Sequence, residues 1–271
     1  MRAPDGGELT EGKRLLIRVE GLVIRTTDYG EGHKIATLLT PTHGKFGVVV
    51  RGAKKPKSRF GSLAQPFVYG DFSIYRSGRL GTLSSGEIIE PFRDLRERLE
   101  LAAYASYAAE LADRAIPDEE AGAFLFHQLL ACLRALAEGK DPGVILRLFE
   151  MIIFRAAGYA PILHECASCG GTGDLRWFSA TGGGALCGAC RRRDPAALEL
   201  AEPVWKLLRL FERLDLRRVG RTEVGEETKR QLRLALRRWM DEHLALRLKS
   251  LHFLDQWERD ADSFDSPGPL R

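Results

Sequence analysis

Four of the five cysteines fall into two matched pairs, Cys166-x-x-Cys169 and Cys187-x-x-Cys190, with seventeen residues between them. Gly170 follows the first pair and Gly188 lies inside the second. A glycine there lets the backbone turn tightly and bring N–H groups toward sulfur. Two such hairpin knuckles present four thiolates, the donor set of a tetrahedral Zn²⁺ with no open position. A closed site has no vacancy for an attacking water, so the chemistry predicted is structural, with one Zn²⁺ per chain. Two disulfides or a redox-active dithiol pair are the competing uses of this spacing. Met1 to Glu8 is polar and lacks the apolar stretch of a signal peptide, so the expectation is a cytoplasmic chain with reduced thiols. Cys132 lies on the apolar face of a predicted helix and reads as a small core residue.

The residues match no catalytic pattern of the common kinds. No Gly-Lys-Ser/Thr phosphate loop and no Gly-x-Ser-x-Gly elbow is present. His164-Glu165 begins like a zinc-protease helix, but Ser168 stands where the second histidine is needed. A zinc deaminase requires proline before its cysteine pair, and Leu186 precedes Cys187. The expectation is a protein that is not an enzyme.

Charge points elsewhere. The formal net charge is +4, but residues 1–92 carry a net +5 and the remainder −1. No acidic residue lies between Glu31 and Asp71, while Lys34, Lys45, Arg51, Lys54, Lys55, Lys57 and Arg59 supply positive charge. Such a stretch is the footprint a polyanion uses. The segment Arg51-Gly-Ala-Lys-Lys-Pro-Lys-Ser-Arg-Phe60 is the predicted binding surface, with Tyr29 and Phe60 as aromatics that could stack on bases. Phe67, Phe72 and Tyr75 read as core residues, and His33, His43 and His127 as structural or exposed.

These residues need elements to position them. Leu15–Arg25, Lys34–Thr40, Lys45–Arg51, Gln65–Arg76 and Leu80–Glu90 read as five short strands, the pattern of a small OB-fold barrel. Helical spacing follows over Asp94–Ala115, Ala121–Glu138 and Pro142–Ala157, the last with Asp141 as N-cap and Pro142 at the first helical position. Asp194-Pro195 is read as opening another helical region that Pro203 breaks or restarts, and Glu226–Leu246 as a long amphipathic helix. The predicted fold class is thus multi-domain β + α. It has a leader at 1–14, an OB barrel at 15–92, a mostly helical domain at 93–260 with the cysteine segment at 164–193, and a flexible tail at 261–271. No apolar run approaches the ~18 residues of a membrane span. From the residues alone, an RNA-binding factor with a zinc ribbon and a scaffold whose basic loop meets an acidic protein tail both stay open.

Several segments together resemble the RecO family of bacterial recombination mediators. They are Gly21-Leu-Val-Ile-Arg-Thr-Thr-Asp-Tyr-Gly-Glu-Gly-His-Lys-Ile35, the Leu38–Gly44 turn, the basic run from Arg51 to Arg59 followed by Leu63-Ala-Gln-Pro-Phe67, the four cysteines, and His243-Leu-Ala-Leu-Arg-Leu-Lys-Ser250. The resemblance covers roughly residues 15–255. It implies an OB domain, a helical domain and a zinc module inserted between helices. It further implies binding of single- and double-stranded DNA, annealing of complementary strands, and work with RecR to load RecA onto strands covered by single-stranded-DNA-binding protein (SSB), in the cytoplasm at the nucleoid. Relatives bind the acidic, apolar-tipped tail of SSB. The segment Phe124–Phe154 offers Leu130, Leu133, Phe149 and Phe154 with Arg134 and Arg147 as a pocket for it.

Overall fold

A computed structural model describes residues 15–77, 80–118, 122–221 and 223–264. The expected leader at 1–14 and residues 265–271 of the expected tail lie outside them. The chain forms two compact units: Phe46–Glu90 with the chain up to Leu38, and Leu39–Lys45 with the chain from Pro91 onward.

The first unit is a five-stranded closed barrel. Its strands are β1 (Leu15–Tyr29), β2 (His33–Thr40), β3 (Gly44–Val50), β4 (Tyr69–Ser77) and β5 (Leu80–Glu90), hydrogen-bonded in the order β1-β2-β3-β5-β4. β3 runs parallel to β5, and β4 pairs antiparallel with both β1 and β5. This is the OB arrangement, and it requires a long link between β3 and β4. Val19, Val23, Ala36, Val48, Val50, Phe72, Ile74 and Leu83 fill the interior. β1 outruns its predicted end at Arg25 by four residues, because it bends around the barrel with Leu22, Val23 and Ile24 all buried. Tyr75, expected in the core, is instead exposed opposite Leu16.

The second unit is built on helices. The predicted helix from Asp94 to Ala115 is two, α1 (Asp94–Glu97) and α2 (Leu99–Ala115), because Arg98 is extended. Buried alanines along α2 (Ala103, Ala105, Ala108, Ala109, Ala112) let its neighbours approach closely. α3 (Ala123–Ala137) and α4 (Pro142–Ala156) pack on it. The α4 start is as read from sequence: the Val144 N–H donates to the Asp141 carboxylate at 3.1 Å, with proline in the first turn. Every residue from Val144 to Phe154 is buried, so α4 is the central helix.

The helix expected from Asp194 is absent. A 3-10 turn (Arg191–Arg193) precedes it, and a short strand β8 (Leu198–Glu199) pairs with β6 (Leu175–Ser179), which also pairs with β7 (Gly184–Cys187). Of the two expectations at Pro203 the restart holds: it sits in the first turn of α5 (Glu202–Phe211), where its missing N–H leaves no donor unsatisfied. α6 (Glu226–His243) follows. α7 (Lys249–Phe264) extends helix into the expected tail at 261–264.

Candidate nucleic-acid interface and candidate metal centre

The β3–β4 link is a chain of turns. Lys55 N–H donates to Gly52 O, Ser58 N–H to Lys55 O, and Gly61 N–H to Ser58 O, each at 3.1–3.2 Å. Gly52, at φ +70°, makes the first turn accessible. Buried Ala53, Leu63 and Ala64 plug the link into the barrel core. Two bonds join it to the β1–β2 turn: Lys54 N–H donates to Gly32 O at 3.1 Å, and Gly52 N–H to Nδ1 of His33 at 2.9 Å. Loop and turn therefore form one platform. His33 organises that platform, a role no sequence motif announces.

The platform gathers most of the predicted cations. Arg51, Lys55, Lys57 and Arg59 are exposed, and Lys34 is half-buried. Tyr29 lies in the joined turn with about half its surface exposed (52%). Lys54 is exposed but paired: its Nζ lies 2.7 Å from the Asp28 carboxylate. That Lys54 contact holds the Asp28 carboxyl below its ordinary value. The acid-free stretch is thus partly answered by an acid just outside it. Phe60 is half-buried against the barrel core, with the Arg59 guanidinium 4.6 Å above its ring.

Lys45 does not join them. It is buried, and its Nζ donates to the carbonyls of Asp113 (2.5 Å) and Ile116 (2.7 Å) and lies 3.1 Å from the Asp118 carboxylate. A charge so enclosed is a packing element and faces no ligand.

The pocket expected between Phe124 and Phe154 is not open where it was placed. Leu130, Leu133, Phe149 and Phe154 are core residues. Arg134 is exposed, but Arg147 is 2% exposed and binds Glu150 at 3.0 and 3.1 Å and Glu258 at 3.4 Å. Tyr107 O–H donates to Glu150 at 2.7 Å and Tyr104 O–H to Glu258 at 3.2 Å. Burial disfavours the Arg147 cation, but the two carboxylates outweigh it and raise its pKa.

The four paired cysteines converge. Their sulfurs lie within 4.8 Å of one another and form no disulfide, and Sγ of Cys169 and Cys187 are 3.9 Å apart. A tetrahedron with metal–sulfur bonds of about 2.3 Å has edges of about 3.8 Å. The first knuckle closes by Gly170 N–H to Cys166 O at 2.8 Å with Gly170 at φ +73°, the second by Cys190 N–H to Cys187 O at 3.0 Å. Burial works to raise the Cys166 thiol, yet the N–H groups of Cys187, Ser168 and Cys169 prevail and bring it down to about 6. Those N–H donors favour the thiolate form of Cys166, while, against the Gly171 N–H, the neighbouring sulfurs push the Cys169 thiol up to about 11. Donor type, number and spacing all fit a metal ion bound by Cys166, Cys169, Cys187 and Cys190.

A closed OB-type barrel with a cationic turn platform, and a helical unit carrying a four-cysteine cluster that could hold a metal ion, define the class: a multi-domain β + α protein. Residues 15–92 match the family model described as "Recombination protein O N terminal", and residues 96–252 that described as "Recombination protein O C terminal". The DNA repair protein RecO of Bacillus pumilus is 45% identical over 244 residues, 90% of this chain and 95% of its own length. That of Bacillus subtilis is 43% identical, covering 90% and 96%, and that of Halalkalibacterium halodurans 42%, covering 89% and 95%. The chain belongs to the RecO family of DNA repair proteins. No helix among the described residues is long and apolar enough to cross a membrane.

Proposed function

We propose that this chain is a recombination mediator of DNA repair that binds single- and double-stranded DNA through the barrel platform and anneals complementary strands. With RecR it would help load RecA onto SSB-covered single strands in the cytoplasm. The observation that carries this reading is the cluster of Arg51, Lys55, Lys57 and Arg59, all exposed on a turn platform fixed to an OB barrel. Cations at such a surface neutralise phosphates, give affinity without sequence preference, and make binding fall with salt. Annealing needs no catalytic residue, since a surface that screens phosphate repulsion and concentrates two strands accelerates pairing. Displacing a covering protein calls for contacts that are strong in sum and singly labile, as phosphate contacts are. Lys34 and Lys54 flank the site, and Tyr29 offers the accessible ring for stacking. Phe60 serves as the support under Arg59.

In the same reading the four cysteines hold one structural Zn²⁺. When bound, that ion would tie the two knuckles together. The SSB tail remains a partner, and Arg134 is the predicted cation still at the surface.

The test is a salt titration of oligonucleotide binding and of annealing with the full chain. Steep salt dependence, flattened when Lys55, Lys57 and Arg59 are replaced by alanine, is expected. Salt-independent binding, or binding unchanged in that variant, would remove the platform from the site. A protein-tail scaffold would instead bind an acidic peptide and no nucleic acid at low salt, and an RNA factor would prefer RNA through the 2′-OH.

A further inference from the structure

Arg191, Arg192 and Arg193 occupy the 3-10 turn directly after Cys190, and all three are exposed. Backbone bonds fix the turn: Arg193 N–H donates to Cys190 O at 3.0 Å and Asp194 N–H to Arg191 O at 3.1 Å. Among the described residues none of the three makes an ion pair with a carboxylate. The acid next in sequence is turned away from them. Asp194 accepts from Ser179 Oγ at 2.5 Å, Thr181 Oγ1 at 3.2 Å and Ala196 N–H at 2.9 Å. The Ser179 bond, against burial, keeps the Asp194 carboxyl below its ordinary value.

The three guanidiniums have different surroundings. Arg193 reaches back to the first knuckle and donates to Ser168 Oγ at 2.6 Å, where it can balance the negative charge of four thiolates around a divalent ion. Arg191 lies 4.1 Å above the centre of the Trp177 ring, which orients it without consuming its charge. Arg192 has no partner among the described residues. Four thiolates around a divalent ion leave a charge of −2, and of the three only Arg193 reaches back to the first knuckle. Arg191 and Arg192 point their like charges from one turn, an arrangement that an anion between them stabilises.

We propose that Arg191 and Arg192, supported by Arg193 and Trp177, form a second phosphate-binding site, on the cysteine module, for the backbone of a nucleic-acid strand. The planar N–H fork of arginine matches phosphate oxygens in pairs. The proposal rests on the nucleic-acid reading above and adds a second contact to it. On this reading each of the two compact units carries a place for a strand's phosphates.

The experiment follows a fluorescent single-stranded oligodeoxynucleotide by anisotropy across a salt series, using the full chain and its Arg191→Gln/Arg192→Gln variant. Two lost contacts should flatten the log–log slope by about 1.4. Arg192→Lys, which keeps the charge, should recover most of the loss at that position. Metal released by thiol modification is measured on each protein, with one equivalent expected throughout. An unchanged slope at full metal content overturns the proposal, and so does a slope that falls only in step with lost metal. Flattening by the arginine pair, with none from the platform variant, would leave this site standing and remove the barrel reading. A parent that binds without salt dependence overturns both.

Discussion

The barrel platform and the centre of the helical unit both depend on arginine and lysine, and they use them in opposite ways. On the platform the backbone makes the shape, and Arg51, Lys55 and Lys57 are left with their charge facing solvent. In the helical unit Arg147 is enclosed, spanned by Glu150 and Glu258 and backed by two tyrosine hydroxyls that donate to those carboxylates. An exposed cation contributes little to stability and much to attracting an anion. A buried one does the reverse, because removing it strands carboxylates away from water.

Breaking the buried side of this contrast should have the largest effect. Arg147→Ala leaves buried Glu150 without its ion pair and Glu258 with Arg233 alone, with an expected loss of about 3–5 kcal/mol. For a unit of this size that lowers the melting temperature by roughly 10 °C. Thermal unfolding of the helical unit checks it. The salt slope of DNA binding by the folded variant should stay where it was, and a changed slope would mean that Arg147 is not confined to packing.

The platform should answer in the other observable. Lys55→Ala/Lys57→Ala/Arg59→Ala should flatten the salt dependence by about 2, near 0.7 per contact on a single strand, with a stability change of at most about 0.5 kcal/mol per site. A melting temperature that falls as it does for Arg147→Ala would erase the contrast.

Glu110 tests an intermediate case. From α2 its carboxylate accepts from the Lys249 N–H (3.0 Å), the Ser250 N–H (2.8 Å) and the Ser250 hydroxyl (2.6 Å), capping α7 from a distant helix. Burial pushes its pKa up, but those bonds to Ser250 and Lys249 win and hold it below the ordinary value. The cap is therefore fully formed above the unfolded pKa of about 4.3 and is lost as pH falls through the lower folded value. Hydrogen exchange at Lys249 and Ser250 should accelerate over that window. Glu110→Gln should cost about 1 kcal/mol at neutral pH.

Lys54→Ala should do least. Its charge is already answered by Asp28, so the salt slope should change by well under one contact. Asp28→Asn should strengthen binding by freeing it. The opposite sign in either variant would show that the pair opens when DNA arrives.

Much of this was legible from residue types. Alternation, apolar β-branched runs and turns located five strands, Asp141-Pro142 marked a helix start that the hydrogen bonds bear out, and paired cysteines at knuckle spacing marked four residues that do cluster. What stayed hidden is what each charge meets after folding. Lys45 and Lys55 read alike in sequence, yet Lys45 is enclosed by Asp113, Ile116 and Asp118 from far along the chain. Arg147 looked like the rim of a pocket because helical spacing places it near apolar residues. The carboxylates that claim it are Glu150, a turn away, and Glu258, on α7, for which the sequence pattern gives no separate helix within the 93–260 domain. At Pro203 the sequence leaves break and restart both open, because one residue type has two positional meanings, and the start of α5 decides for restart.

The turn platform has one more consequence. Its shape is set by main-chain bonds from Lys55, Ser58 and Gly61, by Ala53, Leu63 and Ala64 beneath and by the Lys54–Asp28 pair, and the charges of Lys55, Lys57 and Arg59 take no part in closing it. Charge and shape are therefore separate design variables here. A protein engineer could exchange Lys55, Lys57 or Arg59 for other polar residues and set the platform's positive charge in steps, while the scaffold that presents them folds as before.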